Sequence, residues 1–265
     1  MADTLSPDQI RHYWMEQART HGSAPAASWS DVWAIDLEIR EIVKWLNDGD
    51  RVLDVGCGNG YSAVQFAARK RVSVRGIDYI PALIEEARAR SVRLGGKLAG
   101  AVDFETGDIT ALTEPTDAYD RVVAVRVIIN LGDWETQRSA LLACGRVTKP
   151  GGLLLLSDAT LQGWNKLNEF RAEWRLPPIP MPAFNSYLDE AQILETLAPA
   201  LTLVEVANFS STYFVGTRVL KPLLIQALGT DVNVADPNLH WNRWFAELPS
   251  FGDYGTQKLF VFRKR

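Results

Sequence analysis

The segment VLDVGCGNGYS, residues 52–62, places Gly56, Gly58 and Gly60 between an apolar run and a helix-forming stretch. Glycine has no side chain to clash, so such a loop turns sharply and lets a ligand approach the backbone. The spacing is G-x-G-x-G. The dinucleotide fingerprint sets its third glycine one residue further on, where a pyrophosphate sits on the helix N-terminus. Asp54 precedes the first glycine by two, and a carboxylate there repels a pyrophosphate but suits a positive amino or sulfonium group. S-Adenosylmethionine carries both cations. Asp78, 24 residues beyond Asp54, is placed to accept both ribose hydroxyls. Asp108, after Gly107, is then placed for an adenine amino group, with Ile80 and Ile109 able to flank the ring.

Methyl transfer from such a ligand is an in-line displacement at an activated carbon, in which alignment and exclusion of water can supply much of the catalysis. A base is optional for a neutral amine, whereas an alcohol or carbon acid needs a group to take its proton. Candidates are few. His12, His21 and His240 are the only histidines, and none forms a metal-ligand pair with a carboxylate at helical spacing, so no metal site is expected. Asp158, at the exit of an apolar strand, is the best acidic candidate, with a helix cap or loop hydrogen-bonder as its competing reading. Arg126 lies close to where a methionine carboxylate or an acidic acceptor would sit, and reads equally as a solvated strand-end arginine. Tyr187 is the third catalytic candidate. Asn168, Arg171, Trp174, Asn185, Phe214 and Trp241 offer, with Tyr187, an apolar pocket with a few polar anchors, or simply the core of a lid.

Short β-branched runs alternate with amphipathic stretches from residue 51, the pattern of a parallel sheet covered by helices. Strands are predicted at Arg51–Val55, Val72–Ile77, Val102–Glu105, Arg121–Val127, Leu153–Leu156, Leu201–Asn208 and Gln257–Arg263. Helices are predicted at Tyr61–Arg69, from Pro81 to Gly95, at Trp134–Thr148 and at Leu188–Leu197. The segments at about 159–187 and 209–255 read as insertions forming an acceptor lid. Residues 1–48 read as a helical cap over the ligand, and 49–265 as the core.

These motifs resemble the class I, Rossmann-like S-adenosylmethionine-dependent methyltransferases over nearly all of residues 50–160. VLDVGCGNG is similar to that family's first motif, GIDYI to its second and TGDI to its third; YDRVVAVRVIINL and KPGGLLLLSD match its fourth-strand and fifth-strand segments. The resemblance implies a seven-stranded, mostly parallel sheet in order 3-2-1-4-5-7-6 with the last strand antiparallel, and methyl transfer. It assigns Asp54, Gly56 and Gly60 to the methionine moiety, Asp78 to the ribose, and Asp108 with Ile109 to the adenine. Tyr13, Gly58, Tyr79, Ile80, Gly107, Val125 and Arg126 complete the expected cofactor contacts. Asn130 stands where many small-molecule members have a histidine. The C-terminal half is similar to a bacterial subgroup associated with polysaccharide or natural-product biosynthesis, which points to a small-molecule acceptor. Cofactor binding without net transfer, for a cyclisation, a rearrangement or sensing, is the alternative. A nicotinamide dehydrogenase fits the fold but not G-x-G-x-G or Asp54.

A formal net charge of -4 argues against dependence on a basic footprint, so neither nucleic acid nor an anionic membrane is an expected partner. Two cysteines, Cys57 and Cys144, are too few for a disulfide framework. With no secretory signal or spanning segment, the reading is a soluble, cytoplasmic protein, monomeric or homodimeric.

Overall fold

The protein is described by a computed structural model that covers residues 5–229 and 231–265. Helix α1, Pro7–His21, starts at a capping box in which Ser6 and Gln9 satisfy each other's backbone N–H. Helix α2, Val32–Val43, is capped by the Asp31 carboxylate, which accepts from the Ala34 amide. The alternating region gives β1 Arg51–Val55, α3 Tyr61–Arg69, β2 Ser73–Asp78, α4 Pro81–Leu94, β3 Ala101–Thr106 and β4 Tyr119–Val125. It continues through α5 Trp134–Val147 and β5 Thr148–Ala159. Beyond it lie α6 Leu161–Glu173, α7 Glu190–Leu197 and β6 Leu201–Ala207. Helices α8 Ser211–Phe214, α9 Lys221–Leu228 and α10 His240–Glu247 precede β7 Gln257–Lys264, and a π-helical turn, Val215–Leu220, joins α8 to α9.

The strands form one seven-stranded sheet in the order β3-β2-β1-β4-β5-β7-β6. Only β7 runs antiparallel to its neighbours. Both faces are covered, which is why the central strands are apolar throughout rather than alternating. Val52, Val123 and Leu155 pack with α2 and α3 through Ile39 and Phe66. Leu53, Val122 and Leu154 face the other way, onto Leu141 of α5 and Ile193 of α7. A third cluster joins Leu167 of α6, Tyr213 and Phe214 of α8, and Phe245 of α10, so the two insertions pack on each other. No helix among the described residues is long and apolar enough to cross a membrane.

Four local expectations change. The fourth strand ends at Val125, two residues early, because Arg126 adopts a left-handed φ of 51° and turns the chain while its amide donates to the Ser157 carbonyl at 2.8 Å. The fifth strand starts at Thr148 rather than Leu153. Its KPGG stretch is a bulge, with pairing that jumps from Tyr119 with Thr148 to Arg121 with Leu153 and Gly151 at φ 76°. Within the first predicted insertion, where no helix is predicted, residues 161–173 form α6. The segment 1–48 also divides: α2 puts Ile35, Ile39 and Ile42 into the sheet's own core, leaving α1 as the part that lies over the site.

Candidate active site

Strands β1, β2 and β4 end side by side, and their carboxyl ends open into a cavity of about 270 Å³. The glycine loop forms its floor with φ values of 70°, 55° and 71° at Gly56, Gly58 and Gly60. A Cβ on Gly56 would meet Val127 Cγ2 at 2.3 Å, and one on Gly60 would meet Phe104 Cζ at 2.6 Å. At Gly58 nothing lies within 4 Å, because that residue faces the cavity. Both oxygens of Asp78 are fixed by backbone donors: the Gly58 amide at 3.0 Å and the Ile80 amide at 2.9 Å. Tyr79, Leu83 and Ile109 make an apolar wall, with the Asp108 carboxylate accepting from the Thr110 amide at 2.8 Å on its edge.

Asp54 is 1% exposed, and its Oδ2 has no hydrogen-bond partner. Burial, then the neighbouring carboxylates Asp78 and Glu38, push its carboxyl up to about 8. Burial raises Asp78 to about 6 against the pull of its two backbone donors. A buried, unpartnered acid in a cavity that holds a second acid is a site short of a cation. An amino acid's ammonium, a ribose diol and an adenine ring match these walls in turn, so the residues present fit S-adenosylmethionine.

A second chamber, of about 240 Å³, adjoins the first. Trp14, Ser28, Arg126 and Asn130 line both. Its other walls come from both insertions, including Trp164, Phe184, Asn185, Tyr187, Phe214 and Arg218. Burial pushes the Tyr187 hydroxyl up to about 12.

Asp54, Gly56, Gly58, Asp78, Tyr79, Gly107, Asp108, Ile109, Val125 and Arg126 all line the first cavity. Gly60 and Ile80 do not. They lie behind the wall, Gly60 against Phe104 and Ile80 at 1% exposure. Tyr13 also lies off the cavity, stacked on Phe184 at 4.3 Å, and its neighbour Trp14 points in instead. Asp158 is fully buried beneath both chambers' linings: one oxygen accepts from the Ile128 amide at 3.1 Å, and the other has no partner. Burial, then the Glu38 charge, raise its carboxyl well above the usual range, and it touches neither chamber. Tyr187, Asn185 and Phe214 reach the second chamber, while Trp174 is 54% exposed, Asn168 donates to the Ile179 carbonyl and Arg171 to those of Pro177 and Arg218. The sequence reading missed Glu38 and Arg218. Glu38 left a signal, since it interrupts the apolar face of α2 between Ile35 and Ile42.

The sheet order, the single antiparallel strand and a ligand cavity at the carboxyl ends of β1, β2 and β4 define a Rossmann-like fold. Residues 52–152 match the methyltransferase domain family. The chain is 32% identical over 163 residues to 27-O-demethylrifamycin SV methyltransferase of Amycolatopsis mediterranei, covering 61% of this chain and 55% of that one. It is 33% identical over 147 residues to the O-methyltransferase rstn1 of Aspergillus nomiae, covering 53% and 63%. It thus spans little more than half the length of these relatives. The structure of magnesium protoporphyrin IX methyltransferase from Synechocystis, with bound SAH, superposes with a TM-score of 0.63 at 15% identity, covering 98% of this chain and all of that one. Residues 52–152 thus match a methyltransferase domain, set in a Rossmann-like fold.

Proposed function

We propose that the whole protein transfers a methyl group from S-adenosylmethionine to a small-molecule acceptor of natural-product or sugar type. The observation that carries this reading is the pair of chambers meeting at Arg126 and Asn130, one matched to the cofactor and one walled by aromatic rings. The cofactor, when bound, supplies a methyl carbon already activated for displacement. Asp54 meets the amino group, Asp78 the ribose hydroxyls, and Asp108 with Ile109 the adenine. Trp14 and Asn130, which line both chambers, hold the acceptor against the cofactor and keep water out, so that alignment contributes most of the rate. Relatives named as O-methyltransferases, rstn1 among them, favour an oxygen acceptor.

Among the described residues, no Asp, Glu or His lines the second chamber. An acceptor hydroxyl there ionises by its own acidity, its proton lost to bulk water outside the closed chamber. The same observation supports a second reading, in which the cofactor is bound without net transfer. Calorimetric titration with S-adenosylmethionine and its demethylated product tests the first requirement, and absence of binding at millimolar ligand refutes both readings. Formation of one demethylated cofactor per methylated acceptor separates them.

A further inference from the structure

The Arg126 side chain is 13% exposed, and its guanidinium makes no hydrogen bond among the described residues. Its Nη1 forms an ion pair with Glu38 Oε2 at 3.4 Å, but the pair makes no hydrogen bond, and both atoms are buried without a hydrogen-bond partner. An arginine carries five N–H donors, and leaving them unmet inside a protein is costly. Its backbone is strained as well, at φ 51°, and is clamped by Asn130, whose side-chain amide donates to the Arg126 carbonyl at 2.6 Å. The guanidinium lies over the Trp29 ring, 5.3 Å from its centre. Trp29 lines the second chamber and not the first. The group is therefore presented to the acceptor side.

A second cation reaches the same chamber. Arg218, from the π-helical turn, lies 4.7 Å over Phe214 and donates to Asp31 at 2.7 Å. Asp31 and Glu38 stand behind the arginines, and neither lines the chamber. Three amide oxygens of the lining, on Asn130, Asn185 and Gln257, are also buried without partners. Among the described residues the surface thus offers positive charge, aromatic faces and unmet acceptors, and no negative charge.

Building on the proposed function, we infer that the acceptor is an anion: a flat, largely apolar molecule bearing a carboxylate that Arg126 engages, with hydroxyl or N–H groups for the amide oxygens. Arg218 is the chamber's second cation, and Glu38 is a positioning residue that holds Arg126 at the junction.

The test uses matched pairs of aromatic carboxylates and their primary carboxamides on benzoic, cinnamic and naphthoic frames, with and without a ring hydroxyl. Binding is measured by ligand-observed NMR and calorimetry, with and without S-adenosylhomocysteine. Acids should bind about tenfold or more tightly than their amides, the size of one charge-assisted hydrogen bond. Arg126→Gln should erase the preference, whatever it does to S-adenosylhomocysteine affinity, since the side chain lines both cavities. Arg218→Gln should reduce the preference, giving a second variant should the first fail to fold. Equal binding of acids and amides, binding of neither set, or a preference that survives Arg126→Gln overturns the inference. So does a loss of S-adenosylhomocysteine affinity in Arg126→Gln with the acid preference intact, which would assign the arginine to the cofactor's carboxylate. Failure of the wild type to bind S-adenosylhomocysteine refutes the proposed function instead, and the acid preference is then read on the cofactor-free protein.

Discussion

At the scale of single residues, two carboxylates of the cofactor cavity differ in what holds them. Asp78 spends one lone pair of each oxygen on a backbone donor and keeps the others for hydroxyls. Asp78→Ala removes two hydrogen bonds to an ionised acceptor, each worth about 1.5–3 kcal/mol. S-Adenosylhomocysteine affinity should fall about a hundredfold or more by calorimetry, and a change of less than about fivefold would show that the ribose is held elsewhere. Asp54 has no such donors. Its folded carboxyl titrates at about 8 against an ordinary 3.8, so the folded, cofactor-free protein keeps a proton that the unfolded chain releases. Stability should therefore fall as pH rises from about 4 to about 8, with Asp78 adding to the loss up to about 6. Asp54→Asn, which cannot ionise, should flatten the upper part of that decline in thermal melts. A ligand ammonium favours the ionised form, so cofactor affinity should rise from pH 6 to 8 by up to about tenfold per unit, with proton release. Calorimetry in buffers of different ionisation heat reads the released proton. No buffer dependence, or the same dependence in Asp54→Asn, would mean that Asp54 does not meet the cation.

Among the elements, the glycine loop separates packing from access. Gly56→Ala combines a left-handed φ with a Cβ 2.3 Å from Val127, and should cost about 2–4 kcal/mol in urea unfolding. Gly58→Ala meets no neighbour and should cost only about 1–2 kcal/mol. Its methyl projects into the cavity, so it should be the variant that keeps its fold and loses cofactor. Equal destabilisation of the two would contradict the loop geometry. The core strands and helices were legible because β1, α3 and α4 begin and end on their own local signals, glycines and Pro81 among them. The lid helix α6 was not, because it buries Gly163, Leu167 and Arg171, a face with one apolar side chain of any size in three. The end of β4 was hidden because nothing local forces Arg126 into a left-handed turn; the Ser157 carbonyl of a neighbouring strand receives its amide. The same holds for the site. Asp54, Asp78 and Asp108 stand at strand ends and could be read from spacing, whereas Arg218 meets its partner Asp31 across 187 residues.

Over the whole molecule, α1 closes both chambers at once. Pro7, Ile10 and Trp14 roof the cofactor cavity, and Trp14 extends over the acceptor chamber. One anchor ties the far end of this roof to the glycine loop: the Asn59 amide donates to the Gly22 and Ala24 carbonyls at 2.9 and 2.8 Å. The other ties it to the lid, where Tyr13 stacks on Phe184 and the Leu5 amide donates to the Ala183 carbonyl at 3.0 Å. A ligand enclosed under such a helix leaves only as fast as the helix lifts. Asn59→Ala cuts the first anchor, leaves the donors to Asp78 in place, and loses two hydrogen bonds worth about 1 kcal/mol each. Residues 7–21 should exchange amide hydrogens faster, and S-adenosylhomocysteine should dissociate about tenfold faster in stopped-flow measurements. Phe184→Ala cuts the second anchor, so it should loosen the same helix and shift acceptor affinity more than cofactor affinity. If both variants release the cofactor at the wild-type rate while their helix exchanges faster, α1 covers the site without controlling passage, and the ligand's route must lie through the second chamber, past Arg126.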